Sequence, residues 1–177
     1  LRWAALGFGS SFASTKDEVA VRVSRMNQLL RRLKTSTKLR ENVCLLLREG
    51  HSPLPECLAD VQRLIGRTRP QQHALLALVR AASEILPASP EERDERQAAV
   101  RRVERQMREV EDRHLPVAQT DLAVGGADLL AMGMKPGKSV GEMLSWLLDQ
   151  VLDGYVENHA AALTRAARQR MEEGERE

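Results

Sequence analysis

Residues 121–154 read DLAVGGADLLAMGMKPGKSVGEMLSWLLDQVLDG and spell a short helix, a glycine turn and a long helix. Asp128, Leu129, Leu130 and Met132 make the short element. Gly133 stops it, because glycine accepts the left-handed conformation that follows a helix end. Met134 and Lys135 cross the turn, and Pro136, held at a φ of about −65°, suits the entry to a new helix. The long helix is expected over 138–153. Val140, Leu144, Leu147, Leu148 and Val151 recur at helical spacing as its core face, and Gly154 ends it.

The turn holds the chemistry. Gly137, Lys138 and Ser139 sit where the first backbone N–H groups of a helix lack internal partners, and those groups together with the helix dipole favour an anion. Lys135 and Lys138 add positive charge, while Gly137 and Gly141 present no side chain that would hold a sugar–phosphate backbone away. Two readings stay open on residue types alone: a nucleic-acid phosphate bound at this helix start, or an ordinary αα-turn with lysines in solvent.

The same stretch, followed by Asn158 and an alanine-rich helix, resembles the C-terminal tail of bacterial CCA-adding tRNA nucleotidyltransferases and their poly(A) polymerase relatives. The family pattern runs D-L-x-(I/V)-N-G-x-D-L, then G-x-x-P-G-x-x-(I/V)-G, an apolar helix, a glycine, and an asparagine before a last helix. Asp121, Leu122, Val124, Gly126, Asp128, Leu129, Gly133, Pro136, Gly137, Val140, Gly141, Gly154 and Asn158 match it. Gly125 departs from it, standing where the family has asparagine. Upstream, LRWAAL at 1–6 and LLRRLKTSTKLRENVCLLLREG at 29–50 are similar to the family's body.

The resemblance implies a parent protein that adds C, C and A to tRNA 3′ ends from CTP and ATP with magnesium. The present chain would be the body and tail that grip the acceptor stem and elbow, attached to an N-terminal catalytic head and neck. A poly(A) polymerase would share this region. The head's D-x-D pair and its Glu-Asp-x-x-Arg element are absent from the sequence, as is the His-Asp pair that many relatives carry near residues 7–16. The chain is therefore expected to carry no catalytic residue, no metal site and no cofactor, and to be inactive alone. Readings of another class are a helix-hairpin-helix DNA-binding module, which the helix–GMKPG–helix element also resembles, and a structural α-helical interaction module.

Composition agrees with an all-α protein of seven to eight helices. Apolar residues make up 42% of the 177, but aromatics only 3%, so Leu, Val, Ala and Met must fill the core. No apolar run reaches the roughly 18–20 residues that span a bilayer. The chain opens on Leu1-Arg2-Trp3 and reads as a piece of something longer. Cys44 and Cys57 fit no C-x-x-C pattern and read as small buried residues of a reducing, cytoplasmic compartment. His51, His73, His114 and His159 have no ligand partner three or four residues on, and no phosphate loop or nucleophile elbow is present.

The net charge of +2 hides an asymmetry. Residues 1–114 carry 21 Lys/Arg against 15 Asp/Glu, a net of +6, and residues 115–177 carry 6 against 10, a net of −4. A body-like domain is expected at 1–114 and a tail at 115–177. The basic excess is densest in 16–40, where Arg22, Arg25 and Arg32 are read as one helix face that meets RNA phosphates; a solvated face is the alternative.

Helices are expected over 17–33, from Ser36 to about 48, over 54–65, from Thr68 and Pro70 to 86, and from a Ser89-Pro90-Glu91-Glu92 capping box to about 114. Pro53 and Pro55 are read as opening the third of these, with Ser52 as its cap. Asn158 is read as the cap of the last helix, with Ala160, Leu163, Ala167 and Met171 on one face.

Overall fold

The computed structural model describes residues 15–85 and 89–174. The α-helices among the described residues are α1 (Lys16–Arg32), α2 (Thr37–Gly50), α3 (Leu58–Thr68), α4 (Gln72–Ile85), α5 (Pro90–Asp112), α6 (Gly126–Ala131), α7 (Lys138–Leu152) and α8 (Ala160–Gly174), with a 3-10 turn at Gln119–Asp121. No strand occurs among the described residues, so the all-α class is as expected. The helix end expected around Trp3 and Leu6 and the stop at Pro87 lie outside the described residues, as do 175–177 of the frayed end expected at 172–177; residues 172–174 continue α8.

By backbone proximity the chain divides into two compact units, Leu1–Glu56 with Arg67–Gln106, and Cys57–Gly66 with Met107–Glu177. Residues 57–66, assigned to the body from sequence, lie in the second unit.

In the first unit α1 packs on α2, and α2 on α4. α1 begins with a reciprocal cap: Thr15 Oγ1 accepts from Glu18 N at 3.2 Å, and Glu18 Oε2 accepts from Thr15 N at 3.0 Å. Ser36 caps α2 as expected, accepting from Leu39 N at 3.2 Å. Met26, Leu30, Val43, Leu46, Leu47, Leu75, Leu78, Val79 and Ala82 are buried. Leu33 and Ile85, both apolar, are not: Leu33 is 51% exposed and Ile85 77%. Leu33 stands past the end of α1, where Lys34 turns the chain at φ +53°, and Ile85 is the last residue of α4.

The prolines correct one helix start. α3 begins at Leu58, not near Leu54, because a residue before proline is pushed out of the helical region, and both Ser52 and Leu54 precede one. Ser52 does not cap α3; its hydroxyl donates back to Arg48 O at 3.4 Å. Cys57 holds the position before the helix and is exposed, not buried, with Sγ 3.1 Å from Asp60 Oδ2. Likewise Thr68 does not start α4. It is the buried last residue of α3, and α4 begins at Gln72.

The Ser89 cap holds, with Glu92 N donating to Ser89 Oγ at 3.1 Å. It opens α5, whose Val100, Val103, Met107 and Val110 are all buried. His114, at φ +50°, ends the run, and Leu115 N reaches back to Val110 O at 2.9 Å.

In the second unit, α3 lies against the chain at 116–117. Gln62, buried, donates from Nε2 to Pro116 O at 2.8 Å. A Cβ on Gly66 would overlap the Val117 carbonyl oxygen, so only glycine allows this approach. Asp121 then organises the turn into the tail, its Oδ2 accepting from Val117 N at 3.0 Å and Ala118 N at 3.1 Å. α6, α7 and α8 close around Val124, Leu129, Met143, Leu147, Leu163 and Ala167. The buried stripe of α7 is thus centred on Met143 and Leu147. Val140, Leu144 and Val151, expected at its centre, pack on its edges.

Candidate nucleic-acid interface

α6 ends at a glycine turn with both reverse hydrogen bonds made. Met134 N donates to Leu129 O at 3.1 Å and Gly133 N to Leu130 O at 3.0 Å, with Gly133 at φ +100°. Met132 and Met134 pack on the core of the unit, which fixes the turn from beneath. Lys135, Pro136, Gly137, Lys138 and Ser139 are all exposed above it.

Gly137 is the residue before α7, at φ +146° and ψ −160°, a conformation that L side chains rarely adopt. It offers no side-chain cap; its carbonyl oxygen accepts from Val140 N at 3.3 Å, and no side chain from that position covers the N–H groups of Lys138 and Ser139. Ser139 Oγ turns back to Lys135 O at 3.4 Å. A Cβ added at Gly137 or Gly141 would meet nothing within 4 Å: the ground in front of the helix start is open. Gly126 differs, because a Cβ there would press on Val140 Cγ1 at 3.3 Å, so its smallness serves the packing of α6 on α7.

The two lysines are not equivalent. Lys135 forms no ion pair among the described residues. Lys138, its side chain 91% exposed, places Nζ 2.7 Å from Glu142 Oε1. The hydrogen bond and charge of Glu142 hold the Lys138 ammonium above its ordinary pKa. Glu142 stands four residues on from Lys138, the spacing at which helical side chains meet, and the sequence reading passed over it.

The three arginines lie on α1 in the first unit, on one side of the helix by their spacing, but they differ in exposure and partners. Arg22 is half-buried, with Nη1 3.2 Å from His51 Nε2. His51 Nδ1 stands 2.7 Å from Leu47 O, so that nitrogen donates and Nε2 accepts from Arg22. His51 is thereby a satisfied structural histidine. Arg25 and Arg32, seven residues apart, share an exposed face and make no ion pair among the described residues.

Asn158 has a role that sequence spacing did not reveal. It does not cap α8. Its Oδ1 accepts from Ala123 N and its Nδ2 donates to Asp121 O, both at 2.9 Å, clamping the segment that leads into α6. The cap of α8 is His159, whose Nδ1 accepts from Ala162 N at 3.2 Å. At Gly125, where the resembling family has asparagine, the backbone N–H donates to Asp128 Oδ2 at 2.7 Å.

Among the described residues no group of three His, Cys, Asp or Glu side chains is placed to hold a metal ion. No helix among them is long and apolar enough to cross a membrane.

Comparison with known proteins places the chain in a family. Residues 17–167 match the family model described as tRNA nucleotidyltransferase domain 2. A 54-residue stretch is 39% identical to the CCA-adding enzyme of Limosilactobacillus fermentum, covering 30% of this chain and 14% of that protein. No solved structure matches the chain.

Proposed function

The chain belongs to the tRNA nucleotidyltransferase domain 2 family, and on that premise we propose that it is the tRNA-holding part of a CCA-adding enzyme. The observation that carries the proposal is the start of α7. An uncapped helix N-terminus with open ground at Gly137 and Gly141 is flanked by Lys135 and Lys138 and seated on a buried core. Such a site takes a phosphate oxygen on backbone N–H groups and adds a point charge on each side. Double-stranded RNA is held mainly by shape, phosphates and 2′-hydroxyls, and phosphate contacts of this kind position a strand without reading its sequence.

Lys138 enters that site by changing partners. With Glu142 as its resting counter-ion, the ammonium is held in the first turn of α7, and an arriving phosphate offers it a second acceptor. Arg25 and Arg32 supply a separate phosphate-binding face on α1. Nucleotide addition itself, from CTP and ATP with magnesium, belongs in this reading to a catalytic head outside the present sequence.

Fluorescence anisotropy with labelled tRNA tests the proposal directly. The chain is expected to bind tRNA more tightly than a DNA duplex of equal length at the same salt, and to incorporate no nucleotide when given tRNA, CTP, ATP and magnesium. Equal affinity for the DNA duplex would favour the helix-hairpin-helix reading instead.

A further inference from the structure

The first unit contains a cavity of about 390 Å³ whose walls include Leu54, Val79, Ser83, Arg96 and Arg102, with the exposed Glu56 as the one carboxylate among its lining residues. Two of its polar groups are already committed. Ser83, fully buried, donates its hydroxyl to Val79 O at 2.8 Å, so only its lone pairs face the space. Arg96 stands 3.1 Å from Glu92 Oε1 through both Nε and Nη2, which neutralises it. Glu104, two residues from Arg102 on α5, pairs with Arg80.

Arg102 is the exception. Its Nε is buried and has no hydrogen-bond partner, and the guanidinium makes no ion pair among the described residues. A guanidinium carries five N–H donors and keeps its charge at any physiological pH. Arg102 as a residue is half-buried, but its Nε–H is out of water with no acceptor, and an oxyanion with paired oxygens is the partner its planar fork fits. The apolar walls at Leu54, Val79 and Ala99 lower the local dielectric and strengthen the attraction for whatever anion enters.

We propose that this cavity binds a phosphate group on Arg102. The phosphate is either that of a small free molecule or one phosphodiester of a bound RNA strand. This site is separate in sequence and in unit from the start of α7, so its phosphate test does not depend on that turn.

The test uses the full 177-residue chain and inorganic phosphate, against chloride at matched ionic strength. Phosphate at ten times its dissociation constant is expected to raise the thermal midpoint by about 3–5 °C and to shift the Arg102 Nε–H resonance. Arg102→Gln should lose both effects. Arg102→Lys, which keeps the charge and loses the fork, should retain a smaller midpoint rise, which separates loss of binding from loss of folding. If Arg102→Gln also weakens tRNA binding several-fold, the phosphate belongs to RNA; if tRNA binding is unchanged while the phosphate effect is lost, the ligand is a small molecule. No phosphate-specific shift in the wild-type chain, or an equal shift in Arg102→Gln, would overturn the proposal.

Discussion

Replacing Gly66 by alanine sets two effects of opposite sign against each other. Alanine in a helix interior is favoured over glycine by about 1 kcal/mol. The new Cβ, however, would overlap the Val117 carbonyl oxygen and stand 3.3 Å from its carbon. That neighbour is backbone, not the end of a flexible side chain, so α3 and the 116–117 segment must separate by about an ångström. Overpacking of this kind costs about 1–3 kcal/mol. The separation also strains the buried 2.8 Å bond from Gln62 to Pro116 O, and an unsatisfied buried donor costs about 1–3 kcal/mol more. After the helix gain is subtracted, a net loss of about 1–5 kcal/mol remains, or about 2–20 °C in thermal midpoint. Circular dichroism at 222 nm measures it. Gly141→Ala is the control, since it adds a Cβ within α7 that meets nothing within 4 Å and should raise the midpoint slightly. A Gly66→Ala protein that melts at or above wild type would refute the argument for close approach.

Other outcomes follow from single contacts. Asn158→Ala removes both bonds to the 121–123 segment and should lower stability by about 1–2 kcal/mol in urea denaturation, whereas a residue acting only as a helix cap would be rescued by Ser. Burial raises the pKa of the Cys44 thiol above its ordinary value, and Cys57 is exposed. A thiol-specific reagent at about pH 8 should therefore modify Cys57 first, with the half-buried Cys44 reacting more slowly, as mass spectrometry would show. Because the folded-state pKa of Cys44 is raised, its contribution to stability is present below the unfolded thiol pKa and lost as pH climbs through the folded one. Arg25→Ala with Arg32→Ala should flatten the salt dependence of tRNA binding by about 0.7–0.9 log units per lost phosphate contact; adding Arg22→Ala should mainly cost stability through His51.

Much of the local structure was legible in the sequence. Gly133 and Gly137 announce backbone that other residues rarely adopt, and both take positive φ. Ser89-Pro90-Glu91-Glu92 announces a helix start, and the valine stripe behind it is buried. What escaped depends on partners distant in sequence. Gly66 looks like an ordinary helical glycine until Val117, 51 positions on, is brought against it. Asn158 fits the composition of a cap, yet its amide finds Asp121 and Ala123 across the fold, and His159 takes the cap. The α1 arginines looked alike because charge counting does not see His51, which claims one of them. At the candidate site, Lys135 and Lys138 are exposed as the sequence suggested. Glu142 was missed although its i+4 spacing lay in plain view.

The central claim is that the start of α7 holds RNA phosphate, and the salt dependence of tRNA affinity for the double variant Lys135→Gln, Lys138→Gln tests it most directly. Both side chains are exposed, so the thermal midpoint should stay within a degree or two of wild type. The slope of log affinity against log salt should flatten by about 1–2 units, with affinity falling for every tRNA alike. An unchanged slope and affinity at low salt, with the midpoint preserved, would contradict the claim and leave the turn a structural junction between α6 and α7.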